Sequence, residues 1–294
     1  MPDIRRILCP TDFSEFSDIA FRYAISLAQH YRAKLLVQHV VELWRHPEID
    51  FAAAQYYEEF RGRLLQNSEQ ELQRFAKNQE DDETQLERFV RQGIAADCIL
   101  ALAEEQKVNL IVMGTHGRRG FDRVMVGSVT ERVLRKASCP VLAVHNPSPD
   151  FLSSTKQRDP VHLNRILFCT DFSENSQRAL SYAISLTAEY NAELTLLHVL
   201  EQIPDGCGID EATATAIEQL DNMIPPERPD TRGINIVVRT GHPYQQIIQF
   251  ASEARTDVVV MAVRGRGALN LAVFGSTTYR VIQLGSCPVL SVHV

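Results

Sequence analysis

The sequence predicts an α/β protein built as two tandem, doubly wound, five-stranded parallel sheets, each flanked by helices. Three observations carry that expectation. The chain is written twice: residues 5 to 42 and 164 to 201 align without a gap and share 21 of 38 positions, including Thr-Asp-Phe-Ser-Glu and Tyr-Ala-Ile-Ser-Leu. Within each copy short apolar runs alternate with stretches of helical periodicity, a pattern that requires parallel strands joined by right-handed crossovers. Each copy also closes on the same run, Ser-Cys-Pro-Val-Leu-x-Val-His, at 138 to 145 and 286 to 293.

In the first copy Ile4 to Cys9 is an apolar, strand-like run, and Ser14 to Tyr31 has helical spacing with Ser14 or Ser17 placed to cap its start. Ala33 to Val41 is rich in strand formers, and a longer, polar helix is expected over about Ala53 to Asn78. Leu86 to Arg91, a helix from Ala95 to Gln106, the strand Leu110 to Met113, a helix from Val129 to Ala137 and a last strand at Val141 to His145 complete the unit. The two copies are offset by 159 residues early and 148 late, so the second is shorter by 11 residues between positions 43 and 92. Its middle is proline-rich, with Pro225, Pro226 and Pro229. Prolines at 147, 149 and 160 among Ser, Thr, Lys, Gln and Asp have linker composition. The expected organisation is a domain over 1–146, a linker over 147–161 and a second domain over 162–294.

A length of 294 residues suffices for two cores, and 45% hydrophobic with 23% charged is globular composition. The net charge of -7 argues against a surface built mainly to hold nucleic acid. No run approaches the ~20 apolar residues of a membrane span and the start lacks a signal-peptide apolar region, so the expected compartment is the cytoplasm. Six cysteines stand singly, which predicts reduced, packed thiols.

The chemistry concentrates in Gly114-Thr115-His116-Gly117, then nine residues, then Gly127-Ser128. Glycines at 114, 117 and 127 permit positive φ and close backbone approach, so N–H groups can converge on an anion. Ser128 is expected to cap the next helix and to offer a hydroxyl at its positive end. The motif falls at the carboxyl end of a strand, where open α/β sheets bind ligands. His116, Arg118 and Arg119, extended by Arg123, place donors or cations in the loop, suited to phosphate oxygens. Asp12, after the first strand, can accept from ribose or adenine donors or face a divalent ion on phosphates; the plainer reading is a cap for the nearby helix. His39 and His198, in strand-like runs, are read as satisfied core histidines.

On Pro10-Thr11-Asp12-Phe13-Ser14, His39-Val40, the long glycine motif and Cys139-Pro140-Val141, the chain resembles the universal stress protein family in a tandem form. The resemblance implies a Rossmann-like, adenine nucleotide α-hydrolase-like fold and membership of the family's ATP-binding branch. It implies that Pro10, Thr11, Asp12 and Val40 lie at the adenosine end. Gly114, Thr115, His116, Gly117, Arg118 and Arg119, with Gly127, Ser128, Val129 and Thr130, would lie on the phosphates. No metal is expected from the protein alone, only Mg2+ carried with the phosphates. The second copy keeps Thr170, Asp171, Val199, Gly265, Gly275, Ser276 and Thr278, has Thr277 in place of Val129, and carries Arg264, Arg266 and Gly267 in its loop. It departs at Cys169, which replaces Pro10, and at Ala262, which replaces Gly114. If Gly114 needs positive φ, alanine there spoils the cradle; if not, alanine only narrows the pocket.

Three functions compete: an ATP-binding regulatory stress protein, a slow ATP-hydrolysing enzyme, and a structural adaptor. Hydrolysis is disfavoured because no Gly-x4-Gly-Lys-Ser/Thr is present and neither glycine loop contains a lysine. Gly265-Arg266-Gly267 is followed by Asn270 where a dinucleotide fingerprint needs its third glycine. The closing strands, Val141 to His145 and Val289 to Val294, are apolar and need cover, so the two domains are expected to pack through them as an internal pseudo-dimer. Further homo-oligomerisation is left open.

Overall fold

The computed structural model describes residues 4–43, 51–77, 85–116, 125–145, 161–203, 208–226, 233–263 and 275–293, with the backbone alone at 51–55. The first domain contains β1 (Arg6–Thr11), α1 (Glu15–Tyr31), β2 (Lys34–Val41), α2 (Phe51–Lys77), β3 (Leu86–Gln92), α3 (Ala95–Glu105), β4 (Leu110–Gly114), α4 (Ser128–Lys136) and β5 (Val141–Val144). The second contains β6 (Arg165–Thr170), α5 (Glu174–Tyr190), β7 (Glu193–Leu200), α6 (Ile209–Met223), β8 (Ile234–Thr240), α7 (Pro243–Glu253), β9 (Val258–Ala262), α8 (Ser276–Leu284) and β10 (Val289–Val292). The alternation expected from periodicity is therefore present in both copies. The missing residues of the second copy fall in one helix, α6, which has 15 residues where α2 has 27.

Each five-stranded sheet is parallel, and the two join into one ten-stranded sheet ordered β3-β2-β1-β4-β5-β10-β9-β6-β7-β8. The joint is antiparallel, with Leu290 opposite Leu142 and flanking pairs Val289 with Ala143 and Ser291 with Val141. The expected packing through the closing strands is thus found, and it takes the form of direct strand pairing. Ser291 adds a buried bond, its hydroxyl donating to the Val141 carbonyl at 3.0 Å.

Because side chains alternate along a strand, Ile7 and Cys9 face α1 and α2 while Leu8 faces α3 and α4. Both apolar layers run unbroken across the joint: Leu142 and Leu290 belong to one, Val141 and Val289 to the other. Burial pushes the Cys139 and Cys287 thiols up to about 12 and raises those of Cys9 and Cys169. These four cysteines behave as small apolar side chains, as expected.

Local chemistry sets the helix ends. Ser14 accepts the Ser17 N–H at the start of α1, and Ser173 accepts the Ser176 N–H at the start of α5. Both helices stop on a left-handed residue, Arg32 with φ 51° and Asn191 with φ 47°. At the opposite end of the sheet one carboxamide holds two strands together: Asn109 Oδ1 accepts the N–H groups of Arg5 and Arg6, each at 2.9 Å. In the second domain Asp257, fully buried, does the same for Asn164 at 2.8 Å and Arg165 at 2.9 Å.

The equivalence of Asn109 and Asp257 makes a prediction. Asp257→Asn should keep stability within about 1 kcal/mol, because an amide oxygen serves this role in the first domain. Asp257→Ala should cost about 1–3 kcal/mol by leaving buried amides unsatisfied. Equilibrium urea unfolding distinguishes the two.

Candidate functional site

Strand order reverses between β1 and β4: β1 leads outward to β2 and β3, while β4 leads the other way to β5. A crevice opens above the carboxyl ends of strands at such a switch point. The first domain brings Asp12, Val40, Gly114 to His116 and the start of α4 to that edge.

The turn after β1 is shaped by its own bonds. Thr11 Oγ1 lies 3.1 Å from Ser17 Oγ and accepts the Phe13 N–H at 3.0 Å, while Pro10 and Thr11 are both buried. Phe13 is held at φ 62°, with its ring centroid 4.4 Å from that of His39. His39 Nδ1 in turn donates to the Thr11 carbonyl at 2.9 Å. Asp12 Oδ1 accepts the Ser14 N–H at 3.1 Å and the Ser14 hydroxyl at 2.6 Å, so it braces the capping serine and is not itself the cap. The second domain repeats this arrangement: Asp171 accepts the Ser173 N–H at 3.0 Å, Thr170 Oγ1 accepts the Phe172 N–H at 2.9 Å, and His198 donates to the Thr170 carbonyl at 2.8 Å. Both histidines are satisfied, as read from sequence. Val40 is half-buried at the end of β2, and Val199 is buried at the matching place.

At the end of β4 the structure decides between the two readings of Gly114. Gly114 does not have positive φ; among the described residues Gly93, Gly233 and Gly241 are the glycines that do. A Cβ on Gly114 would lie 2.9 Å from the Phe16 carbonyl oxygen and 3.2 Å from the Phe16 Cβ. Glycine is therefore required by the close approach of the first turn of α1. In the second domain Ala262 occupies this position and Asn175 the place of Phe16, and Ala262 is accommodated as a buried residue. Cys169, in the place of Pro10, is buried as well.

The start of α4 brings two corrections. Its N-cap is Gly127, at φ -60° and with no side-chain cap, so Ser128 is the first helical residue and its side chain is exposed. The Gly127 N–H donates to the Thr115 carbonyl at 2.7 Å, which brackets residues 116 to 126 and removes that N–H from any ligand. Gly275 does the same with the Val263 carbonyl at 3.0 Å, ahead of the exposed Ser276 and half-buried Thr277. The first helical bond runs from the Glu131 N–H to the Gly127 carbonyl, leaving the N–H groups of Ser128, Val129 and Thr130 as the donors that a helix start presents. The side chain of Thr130 is not among them: its hydroxyl is buried and donates to the Gly114 carbonyl at 2.8 Å, tying helix to strand. Thr278 bonds the Ala262 carbonyl in the same way at 3.0 Å.

His116 is also corrected. It is 5% exposed, and burial lowers its pKa, so it is a neutral ring and not a cation for phosphate. Its Nδ1 lies 2.9 Å from Thr115 Oγ1, and His145, from the end of β5, joins both. Burial, then the neighbouring His116, lowers the His145 pKa in turn. His145 and Phe16 were not anticipated at this edge. The one available signal was the shared closing histidine of the two copies, His145 and His293. Gly117, Arg118, Arg119 and Arg123, with Arg264, Gly265, Arg266 and Gly267, lie outside the described residues. Among the described residues no three His, Cys, Asp or Glu side chains converge to hold a metal, and no helix is long and apolar enough to cross a membrane.

The model of the universal stress protein family matches residues 3–145 and 162–293. The chain belongs to the universal stress protein family. Universal stress protein MJ0531 of Methanocaldococcus jannaschii is 33% identical over 146 residues, spanning 50% of this chain and 85% of that protein. Universal stress protein MJ0577 of the same organism is 26% identical over 152 residues, spanning 48% and 94%. A universal stress protein from Archaeoglobus fulgidus of known crystal structure superposes with TM-score 0.63 at 22% identity, covering 98% of this chain and 95% of that one, a likeness of fold.

Two predictions follow from the edge of this universal stress protein. Gly114→Ala should cost about 1–3 kcal/mol by pressing on the Phe16 carbonyl, whereas Ala262→Gly should cost only about 0.5–1 kcal/mol, both read by urea unfolding. His116 and His145 are held below the ordinary 6.5. Below that pH the unfolded chain takes up more protons than the folded one, so their contribution is present above 6.5 and lost as pH falls toward the folded values. In His145→Gln the drop in stability between about pH 7.5 and about pH 5.5 should be smaller than in the parent protein.

Proposed function

We propose that this protein binds an adenine nucleotide, ATP carried with Mg2+, at the carboxyl edge of its first domain. It would act as a regulatory stress protein whose bound state is read by partners, with hydrolysis absent or very slow. The observation that carries this reading is the switch point between β1 and β4, where the hydrogen bond from the Gly127 N–H to the Thr115 carbonyl holds the described ends of the glycine motif at the carboxyl edge. The residues suit the group. The N–H groups of Ser128, Val129 and Thr130 sit at the positive end of α4, where phosphate oxygens are favoured. Val40 offers an apolar contact and Asp12 a carboxylate at the opposite side, toward base and ribose. ATP would supply polyphosphate charge, and Mg2+ would offset it.

The regulatory reading rests on what the loops contain. Without a lysine in either glycine segment, the charge stabilisation that phosphoryl transfer demands has no P-loop-like source. In the second domain Ala262 meets the helix side of the sheet, so its alanine is compatible with nucleotide there as well. The second-site residues Thr170, Asp171, Val199, Gly275, Ser276 and Thr277 hold positions like those of the first.

Ser128→Glu tests the site with little risk to folding, since an exposed acidic residue in the first turn of a helix is favourable. It should lower ATP affinity at least about tenfold by repelling phosphate, measured by isothermal titration with Mg2+ present. Ser276→Glu reports on the second domain in the same way. Unchanged affinity in Ser128→Glu, or no binding at millimolar ATP, would overturn the reading. Retained nucleotide without released phosphate is expected; fast turnover lost in Asp12→Ala would replace the regulator with an enzyme.

A further inference from the structure

Thr115, His116 and His145 converge in a triangle of three polar atoms. Thr115 Oγ1 is 2.9 Å from His116 Nδ1 and 3.0 Å from His145 Nδ1, and the two Nδ1 atoms are 3.1 Å apart. A ring nitrogen either carries a proton or offers a lone pair, never both. One hydroxyl and two such nitrogens therefore share at most two linear hydrogen bonds, and one edge of the triangle is always unmatched. His116 Nε2 is also buried, with no hydrogen-bond partner among the described residues. An imidazole nitrogen that carries no proton offers its lone pair to a metal ion.

We propose that Thr115 Oγ1, His116 Nδ1 and His145 Nδ1 form a binding site for a divalent first-row transition cation. Donors about 2.1 Å from an ion, on three adjacent vertices of an octahedron, are about 3.0 Å from one another. The three separations, 2.9, 3.0 and 3.1 Å, match that face. A cation takes a lone pair from each donor and so resolves all three edges at once. Two neutral imidazoles and a hydroxyl favour Co2+, Ni2+, Cu2+ or Zn2+ over the harder Mg2+ and Ca2+. The Phe16 ring, with its centroid 5.0 Å from that of His116, walls one side.

The site exists once per chain. Val263 and Arg264 replace Thr115 and His116 in the second domain, leaving only the counterpart of His145, which is His293. The hydrogen-bonded second partner that normally tightens a histidine ligand, worth about 10- to 100-fold in affinity, is missing at His116 Nε2 among the described residues. The ion should therefore exchange readily and not be permanently held.

The test is titration of metal-free, nucleotide-free full-length protein with Co2+ alone, followed by its visible d–d absorption, and with Zn2+ alone by calorimetry. One equivalent should bind. His116→Gln and His145→Gln should each weaken binding about tenfold or more, on the scale of a lost ligand-shell contact, while His293→Gln and Cys98→Ser leave it unchanged. Thr115→Val, which installs the residue the second domain already tolerates, should also weaken it and provides a readout if a histidine variant fails to fold. Absence of saturable binding would overturn the proposal. So would binding that survives both His145→Gln and Thr115→Val, or binding lost in His293→Gln or Cys98→Ser.

Discussion

The antiparallel pairing of β5 with β10 is the constraint on which the rest of the molecule depends. Each domain alone ends its sheet on a short strand that is buried throughout, and such an edge needs a partner. Pairing the two edges removes both at once and merges the apolar layers on either face of the sheet into continuous cores. It also sets orientation. Because the joint is antiparallel, the strands of one domain run opposite to those of the other, and the two carboxyl edges face opposite ways. A ligand at one crevice therefore cannot reach across to the other, and any communication between them passes through the joint.

Carrying both halves in one chain lets positions related by the pseudo-twofold axis differ. In a dimer of identical subunits, a residue near that axis meets its own copy. Here His30 meets Glu189, its sequence equivalent, at 2.9 Å, and the His30 ring stacks on Tyr190 with centroids 4.4 Å apart. Both side chains are partly exposed, so the contact contributes selectivity of pairing more than stability. The same freedom allows Asn109 and Asp257 to do one job with two chemistries, and allows Thr115 and His116 to diverge to Val263 and Arg264. A cavity of about 50 Å3 remains on the axis, lined by related pairs such as Tyr23 with Tyr182 and Leu142 with Leu290.

The carboxyl edge was only partly legible from sequence, and the reason is the same at each residue. Residue type and spacing identified Gly114, Gly127 and Ser128 as belonging to one edge, and the family resemblance added Thr130, but neither showed which of their groups is already engaged. The Gly127 N–H and the Thr130 hydroxyl are taken up by the carbonyls of Thr115 and Gly114, which no periodicity reveals. Gly114 looked like a residue needing unusual φ, yet it answers to the backbone of Phe16, 98 positions earlier in the chain. His116 looked like a cation, yet it lies buried against His145 and Phe16.

The sequence by itself determined the duplication, the alternation of strands and helices in each copy, the need of the closing strands for cover, and the candidate edge. These follow from local pattern: apolar periodicity, repeated words and turn-forming residues act over a few neighbours. Tertiary structure alone decided that one helix absorbs the length difference, that the domains share a single sheet, and which donors at the edge remain for a ligand. Those outcomes depend on contacts between residues far apart in the chain, where a hydrogen bond to one partner excludes another and a single Cβ decides whether helix and strand can meet.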